Sequence, residues 1–377
     1  MQLHVCGETL MKKLIDICDI QYGYAFDSVN FTNDKSYLPL VRIRDVKRGY
    51  SETFYKGEYP EEYVVHKDDL LVGMDGEFNI ARWRDRDALL NQRVCKISAK
   101  QDNNGEYIRF ALMRILKKIE DKTAFVTVKH LSAKELNKVA WEIPGIEKQN
   151  EIANTLDILE RILESRQEEL KKLDDFVRAR FVEMFGDSDD NWREVKIADI
   201  CSDMRTGPFG SALHHDEFVD NGIFVLGIDN AVENKFSYNR MRYITEEKYE
   251  KLKRYTVQPG DVIITIMGTV GRSAVIPPDI PKAINTKHLA CLTPNIEVVD
   301  SYFLTNAFQV HPAIRRQLEK QSKGAIMDGL NLTVIKNLTF RLPPLDLQKQ
   351  FVDIYNQVDK SKLLYPDRCA IYQPNTS

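Results

Sequence analysis

The sequence predicts a mixed α+β chain: a tandem repeat of two globular domains separated by long helices that pack as an antiparallel coiled coil, the second helix truncated. Three observations carry this expectation. A helical pattern runs uninterrupted through mid-chain, the sequence blocks of the first half return in order in the second, and the second helical seam stops early.

The mid-chain helix covers residues 147–185. Ile152, Leu156, Leu159, Leu163, Arg166, Leu170, Leu173 and Val177 recur at alternating steps of four and three, the period of a helix that buries one narrow seam against another helix. Pro144-Gly145 stands before it, Gly186 after it, and neither residue type interrupts it. At 1.5 Å per residue such a rod is about 55 Å long, which suits a spacer or docking element better than an ordinary core helix.

Composition sets the outer bounds. The 377 residues are 43% hydrophobic and 29% charged, enough for two or three cores. With no apolar run of membrane-spanning length and no charged-then-apolar leader, the expected location is the cytoplasm. Cys6, Cys18, Cys95, Cys201, Cys291 and Cys369 form no CxxC pair, so they read as reduced, mostly buried thiols rather than a zinc cage or disulfide framework. A formal net charge of -3 does not decide for or against nucleic acid, because charge acts through its local distribution.

Taken in order, residues 1–10 read as an N-terminal extension and 11–145 as the first domain. Strand-like runs at Leu38–Ile43, Asp69–Gly73 and Arg93–Ile97 alternate with a helical pattern at Tyr107–Ile119 and a short helix within Leu131–Asn137 capped by Ser132. Residues 146–186 are the central helix, 187–343 the second domain, 344–365 a shortened C-terminal helix and 366–377 an irregular tail.

The repeat is explicit. Leu14-Ile15-Asp16-Ile17-Cys18 returns as Ile197-Ala198-Asp199-Ile200-Cys201, and Leu40-Val41-Arg42-Ile43 as Val225-Leu226-Gly227-Ile228. Asn91-Gln92-Arg93 is matched with Asn285-Thr286-Lys287, and Ile143-Pro144-Gly145-Ile146-Glu147-Lys148-Gln149 with Leu342-Pro343-Pro344-Leu345-Asp346-Leu347-Gln348. One domain followed by one helix is thus the repeating unit.

Two similar domains on paired helices suit a ligand with two-fold character and a linear repeat, and duplex DNA read at half-sites about 34 Å apart is such a ligand. The candidate DNA-contacting residues are Tyr22, Tyr24, Ser28, Arg42, Arg44, Arg82 and Arg93 in the first domain, and Arg205, Ser211, Arg272, Lys287 and Lys323 in the second. Arg and Lys neutralise phosphates, while Arg on a loop can also pair with base edges.

An enzyme reading finds little support. An adenine methyltransferase needs an Asn/Asp-Pro-Pro-Tyr/Phe loop for the extruded base, and Pro277-Pro278 and Pro343-Pro344 have other neighbours. Gly268-Thr269-Val270-Gly271 reads as a turn, and the histidines, His214-His215 included, have no metal-binding spacing. The competing non-enzymatic reading is a coiled-coil scaffold with two protein-binding domains.

The paired Pro-x-x-x-x-Gln motifs at Pro144–Gln149 and Pro343–Gln348, each leading into a helix, resemble the specificity (S) subunit of type I restriction-modification systems. Gly207-Pro208-Phe209-Gly210-Ser211, Arg180-Phe181-Val182-Glu183-Met184-Phe185-Gly186 and Gly260-Asp261-Val262 are similar to that family too, over Met11 to about Leu364. The resemblance implies a non-catalytic DNA reader with two target-recognition domains, each reading one half of a bipartite, asymmetric site, while the helices set the unread spacer. It further implies that adenine methyltransferase (M) subunits and restriction/translocase (R) subunits are partners. The resemblance also implies that S-adenosylmethionine, ATP and Mg belong to those partners, with no cofactor or metal expected in this chain. Helix packing or methyltransferase docking falls to Ile152, Leu156, Leu159, Leu163, Leu170, Leu173 and Val177, with Phe351, Tyr355 and Val358 on the second helix.

One departure stands out: after Leu364 the seam stops at Tyr365-Pro366. This leaves Leu163 to Val177 facing solvent or another chain, a state expected to weaken methyltransferase docking or drive self-association, and an inactive truncated variant is the further alternative.

Overall fold

The computed structural model describes residues 9–122, 129–186, 191–209, 212–322 and 330–363. Ser211, Lys323 and the expected tail 366–377 lie outside them. By internal contacts the chain divides into two units, Met1–Ser165 and Arg166–Ser377, and the helix Ile146–Phe185 runs without a break through the boundary.

In the first unit an antiparallel four-stranded sheet has the order Cys18–Tyr22, Val94–Ala99, Leu70–Gly73, Ile80–Arg82. Successive residues of a strand face opposite sides, and here both sides are covered. Val72 enters one core with Ile108, Leu112 and Leu116 of the helix Gly105–Lys122, while Leu71 enters another with Val41, Trp83 and Leu90. Burial on both faces explains why Leu70-Leu71-Val72 is apolar throughout instead of alternating. A second sheet of five short strands contains Leu38–Val41 beside Ala88–Leu90, paired in parallel. Ser132 caps the short helix Ala133–Leu136 through a capping box with Glu135, as the sequence predicts.

The second unit repeats the plan. Its four-stranded sheet runs Cys201–Thr206, Leu289–Pro294, Val262–Thr265, Ser273–Val275, and Ile223–Leu226 pairs in parallel with Ala283–Asn285. A two-stranded ribbon closes each unit: Leu10–Lys13 on Ala140–Ile143 in the first, Glu194–Lys196 on Thr339–Arg341 in the second. The first ribbon begins at Leu10, inside the stretch read as an extension, because Leu10 pairs with Ile143.

The helix Leu345–Leu363 has 19 residues against 40 for Ile146–Phe185. Phe351 sits 5.1 Å from Phe181 and 5.9 Å from Phe185, and Lys362, near the other end, is ion-paired with Asp174. The two segments are therefore antiparallel, with Leu173, Val177, Tyr355 and Val358 in the same core. This corrects the expected exposed seam at Leu173 and Val177, while Leu163 is exposed as expected. Antiparallel packing starts the short helix beside Phe181 and Phe185, so Val177 is buried, whereas Ile158, Leu159, Ile162 and Leu163 are exposed. Ile152 packs on the core of the first unit, while Leu156 and Leu170 are half-buried. The single narrow seam read from the sequence is thus divided between two cores, and the largest anchors, Phe181 and Phe185, follow its last predicted position.

Candidate nucleic-acid interface

One end of the first unit's main sheet gathers four loops. The strand Cys18–Tyr22 leads into Gly23, where an added Cβ would lie 2.0 Å from the Asn91 carbonyl oxygen, so the close approach of the two backbones requires glycine. Tyr24 N–H donates to Leu90 O at 2.9 Å and Gln92 N–H to Tyr24 O at 2.8 Å, tying this loop to the turn Asn91–Arg93. Met74 N–H donates to Arg93 O at 2.9 Å, and Gly76 N–H to Lys129 O at 2.9 Å, which brings in the hairpin tip 74–79 and the segment around His130. Lys47 Nζ lies 3.3 Å from Glu77 Oε1 and adds the helix Ile43–Arg48 to the group. Tyr24, Lys47, Glu77, Gln92, Arg93 and His130 thus share one end.

Several sequence candidates sit in or beside this group. Tyr24 and Arg93 belong to it; Arg44 is 58% exposed on the helix that carries Lys47, with Arg42 exposed just before it. Ser28 is exposed at the start of the turn Ser28–Asn30. Others are held by internal partners. Tyr22 donates its hydroxyl to Asn137 Oδ1 at 2.9 Å. Arg82 donates to Asp68 O at 2.8 Å and is ion-paired with Glu106, and its place opposite Leu70 is at the other end of the hairpin from the tip. His130 and Asp75 were not among the candidates, because isolated His and Asp letters in loops give no sequence signal of their juxtaposition.

The second unit builds the same end with other side chains. Gly207 is required by the same close approach, its Cβ position being 2.2 Å from the carbonyl carbon of Thr286. Ile266 N–H donates to His288 O at 2.9 Å, as Met74 does to Arg93, and Gly268 (φ +67°) occupies the hairpin tip where Gly76 (φ +70°) sits in the first unit. These contacts correct one sequence match. Asn285 pairs across from Leu226 as Leu90 does from Val41, so Asn285 corresponds to Leu90, Lys287 to Gln92 and His288 to Arg93, one residue away from the alignment on asparagine. Strand register, not letter identity, sets the equivalence.

Lys287 is exposed on this turn and Arg272 half-buried at the base of the tip. The tip itself is apolar, Met267 and Val270 being exposed. Burial, with Lys287 and Arg242 nearby, holds the His288 imidazole below its ordinary pKa. Arg205, another candidate, is an internal brace: it donates to Asp261 Oδ2 at 2.8 Å, Asp203 Oδ2 at 2.6 Å and Thr256 O at 2.6 Å. Burial pushes the thiols of Cys18, Cys95 and Cys201 up to about 12. Among the described residues no group of three His, Cys, Asp or Glu side chains is placed to hold a metal, and no helix is long and apolar enough to cross a membrane.

The sequence profile of the type I restriction modification DNA specificity domain matches residues 8–174 and again residues 189–364. The chain belongs to this family. As a type I specificity subunit it is a non-catalytic DNA-recognition component. It is 31% identical over 364 residues to the type I restriction enzyme EcoBI specificity subunit of Escherichia coli, covering 89% of this chain and 76% of that protein. To the MjaVIII specificity subunit of Methanocaldococcus jannaschii it is 19% identical, over 86% of this chain and 80% of the relative. Its fold resembles the crystal structure of a type I restriction-modification S subunit from M. genitalium, with a TM-score of 0.58 at 15% identity, covering 96% of this chain and 92% of that one. A chain from a structural study of type I complex assembly and conformational transition gives a TM-score of 0.52 at 16% identity, covering 95% and 92%.

Proposed function

We propose that each unit of this specificity subunit reads one half of a bipartite, asymmetric DNA site, and that the helices set the unread spacer and dock adenine methyltransferase subunits. The observation that carries this reading is the repeated loop end. The same backbone contacts, Met74 to Arg93 and Ile266 to His288, support tips whose side chains differ, Asp75 and Glu77 in one and Met267 and Val270 in the other. A constant frame with variable exposed side chains is what two readers of unlike half-sites need, because frame contacts position and side chains specify.

Ile158, Leu159, Ile162 and Leu163 form an exposed apolar stripe on a long helix, which supports docking of a protein subunit there. In this reading S-adenosylmethionine, ATP and Mg reside on the methyltransferase and restriction subunits, and the complex works in the cytoplasm. The test is to co-express the chain with its methyltransferase and map N6-methyladenine along a plasmid. A gapped two-part motif is expected; a palindrome of one half-site, or no methylation by a folded complex, overturns the reading. Binding that is insensitive to salt would favour the protein scaffold instead, since phosphate neutralisation releases counterions.

A further inference from the structure

We propose that Arg93 reads a guanine in the half-site contacted by the first unit, with Asp75 and His130 positioning its guanidinium; the inference rests on the half-site reading above. Arg93 adopts φ +70°, a left-handed conformation that is strained for a residue with a Cβ. The strained turn puts the Arg93 carbonyl on Met74 N–H and leaves the side chain 51% exposed at the loop end.

That side chain is held from two directions. Arg93 Nε lies 3.6 Å from Asp75 Oδ2, and Nη1 lies 3.2 Å from each ring nitrogen of His130. His130 is in turn hydrogen-bonded to Asp75 through Nδ1, and the backbones of these two residues form an isolated bridge. A guanidinium fixed before binding loses less rotamer freedom on contact.

The choice of ligand follows from charge and geometry. The Asp75 carboxylate partly neutralises the arginine and repels a phosphate, which favours a neutral base edge. A planar fork of donors matches two neighbouring acceptors, and guanine presents that pair, N7 and O6, in the major groove. Other arginines of this unit are held by partners within it: Arg86, although exposed, donates to Lys35 O and Tyr37 O at 2.6 and 2.8 Å, and the buried Arg109 to Glu106 and Glu160 at 2.8 and 2.5 Å. In the second unit the corresponding residue is His288, so the two half-sites are read at this place by different chemistry.

The test uses the chain in complex with its methyltransferase and a panel of duplexes in which each base pair of both half-sites is replaced in turn, at fixed salt. The wild type should discriminate one G·C pair of one half-site by about 10- to 100-fold. Arg93→Ala and Arg93→Lys should both lose discrimination at that pair and keep it in the other half-site; the lysine retains the charge and stem but not the fork. Asp75→Asn should raise binding to all duplexes while weakening discrimination at the same pair. Equal weakening of Arg93→Ala on every duplex would mark a phosphate contact and overturn the inference, as would unchanged discrimination at every pair. A wild type with no gapped site would instead sink the half-site reading itself.

Discussion

Gln149 accepts the backbone N–H of Asn104 through Oε1 at 2.9 Å, while its Nε2 donates to Pro144 O at 2.9 Å. Gln348 repeats the arrangement, accepting from Asp300 N–H at 2.9 Å and donating to Pro343 O at 2.9 Å and Val298 O at 3.1 Å. Asn104 and Asp300 each stand at the start of a domain helix, so the glutamine joins the first turn of one helix to the first turn of another. This is the physical content of the paired Pro-x-x-x-x-Gln motif. Both amides are buried, and truncation leaves backbone groups unpaired. Gln348→Ala should destabilise the protein by about 2–3 kcal/mol and Gln149→Ala by somewhat less, having fewer bonds to lose; urea midpoints followed by circular dichroism would check the order.

Phe181 is fully buried between Phe303, at 5.4 Å, and Phe351, at 5.1 Å. Phe181→Ala should cost about 3–5 kcal/mol through the cavity it leaves. Leu159→Ala, on the same helix but 50% exposed, should change stability by less than about 0.5 kcal/mol. Similar losses for both would mean that the stripe around Leu159 is covered in solution.

His311 is buried beside Phe340, and burial, with the Arg316 charge nearby, pushes its pKa from 6.5 down to about 4. The folded state therefore favours neutral imidazole. Its contribution is complete above about pH 6.5 and is lost as pH falls toward 4, because the unfolded chain takes up the proton first; the whole span is worth up to about 3 kcal/mol. Stability measured against pH should fall through this window in the wild type and fall less in His311→Phe.

Asp261 is 1% exposed and receives Arg205, Thr293 Oγ1 at 2.7 Å and Gln258 N–H at 2.9 Å. Arg205→Ala strands a buried carboxylate and should cost about 3 kcal/mol. Lys287→Ala, at an exposed site, should leave melting unchanged but reduce DNA affinity and the salt slope. An Arg205 variant that melts normally yet loses DNA binding would return Arg205 to the interface.

The tandem repeat, the mixed class, the long helix and its shorter counterpart were legible because they rest on local periodicity and on blocks of matching letters. Heptad steps from Ile152 to Val177 require a partner, and the chain supplies one for Leu173 and Val177 in its short helix. The recognition end is legible in part: the sequence singles out Tyr24 and Arg93 but not His130 and Asp75, since these two are 55 positions apart and meet through an isolated backbone bridge and a side-chain hydrogen bond.

Composition and spacing could not distinguish exposed arginines from braced ones. Arg82, Arg93 and Arg205 read alike in sequence, and tertiary neighbours alone turned two of them onto internal carboxylates and carbonyls. Nor could letters set the register that places His288, not Lys287, at the position of Arg93, because register depends on which residue lies across the strand. The sequence by itself determined what repeats and what is apolar, both properties of neighbouring residues along the chain. The tertiary structure decided which side of the long helix is covered, which stretch of it the short helix pairs with, as Lys362 does with Asp174, and which charged side chains remain exposed, since each depends on groups brought together from distant positions.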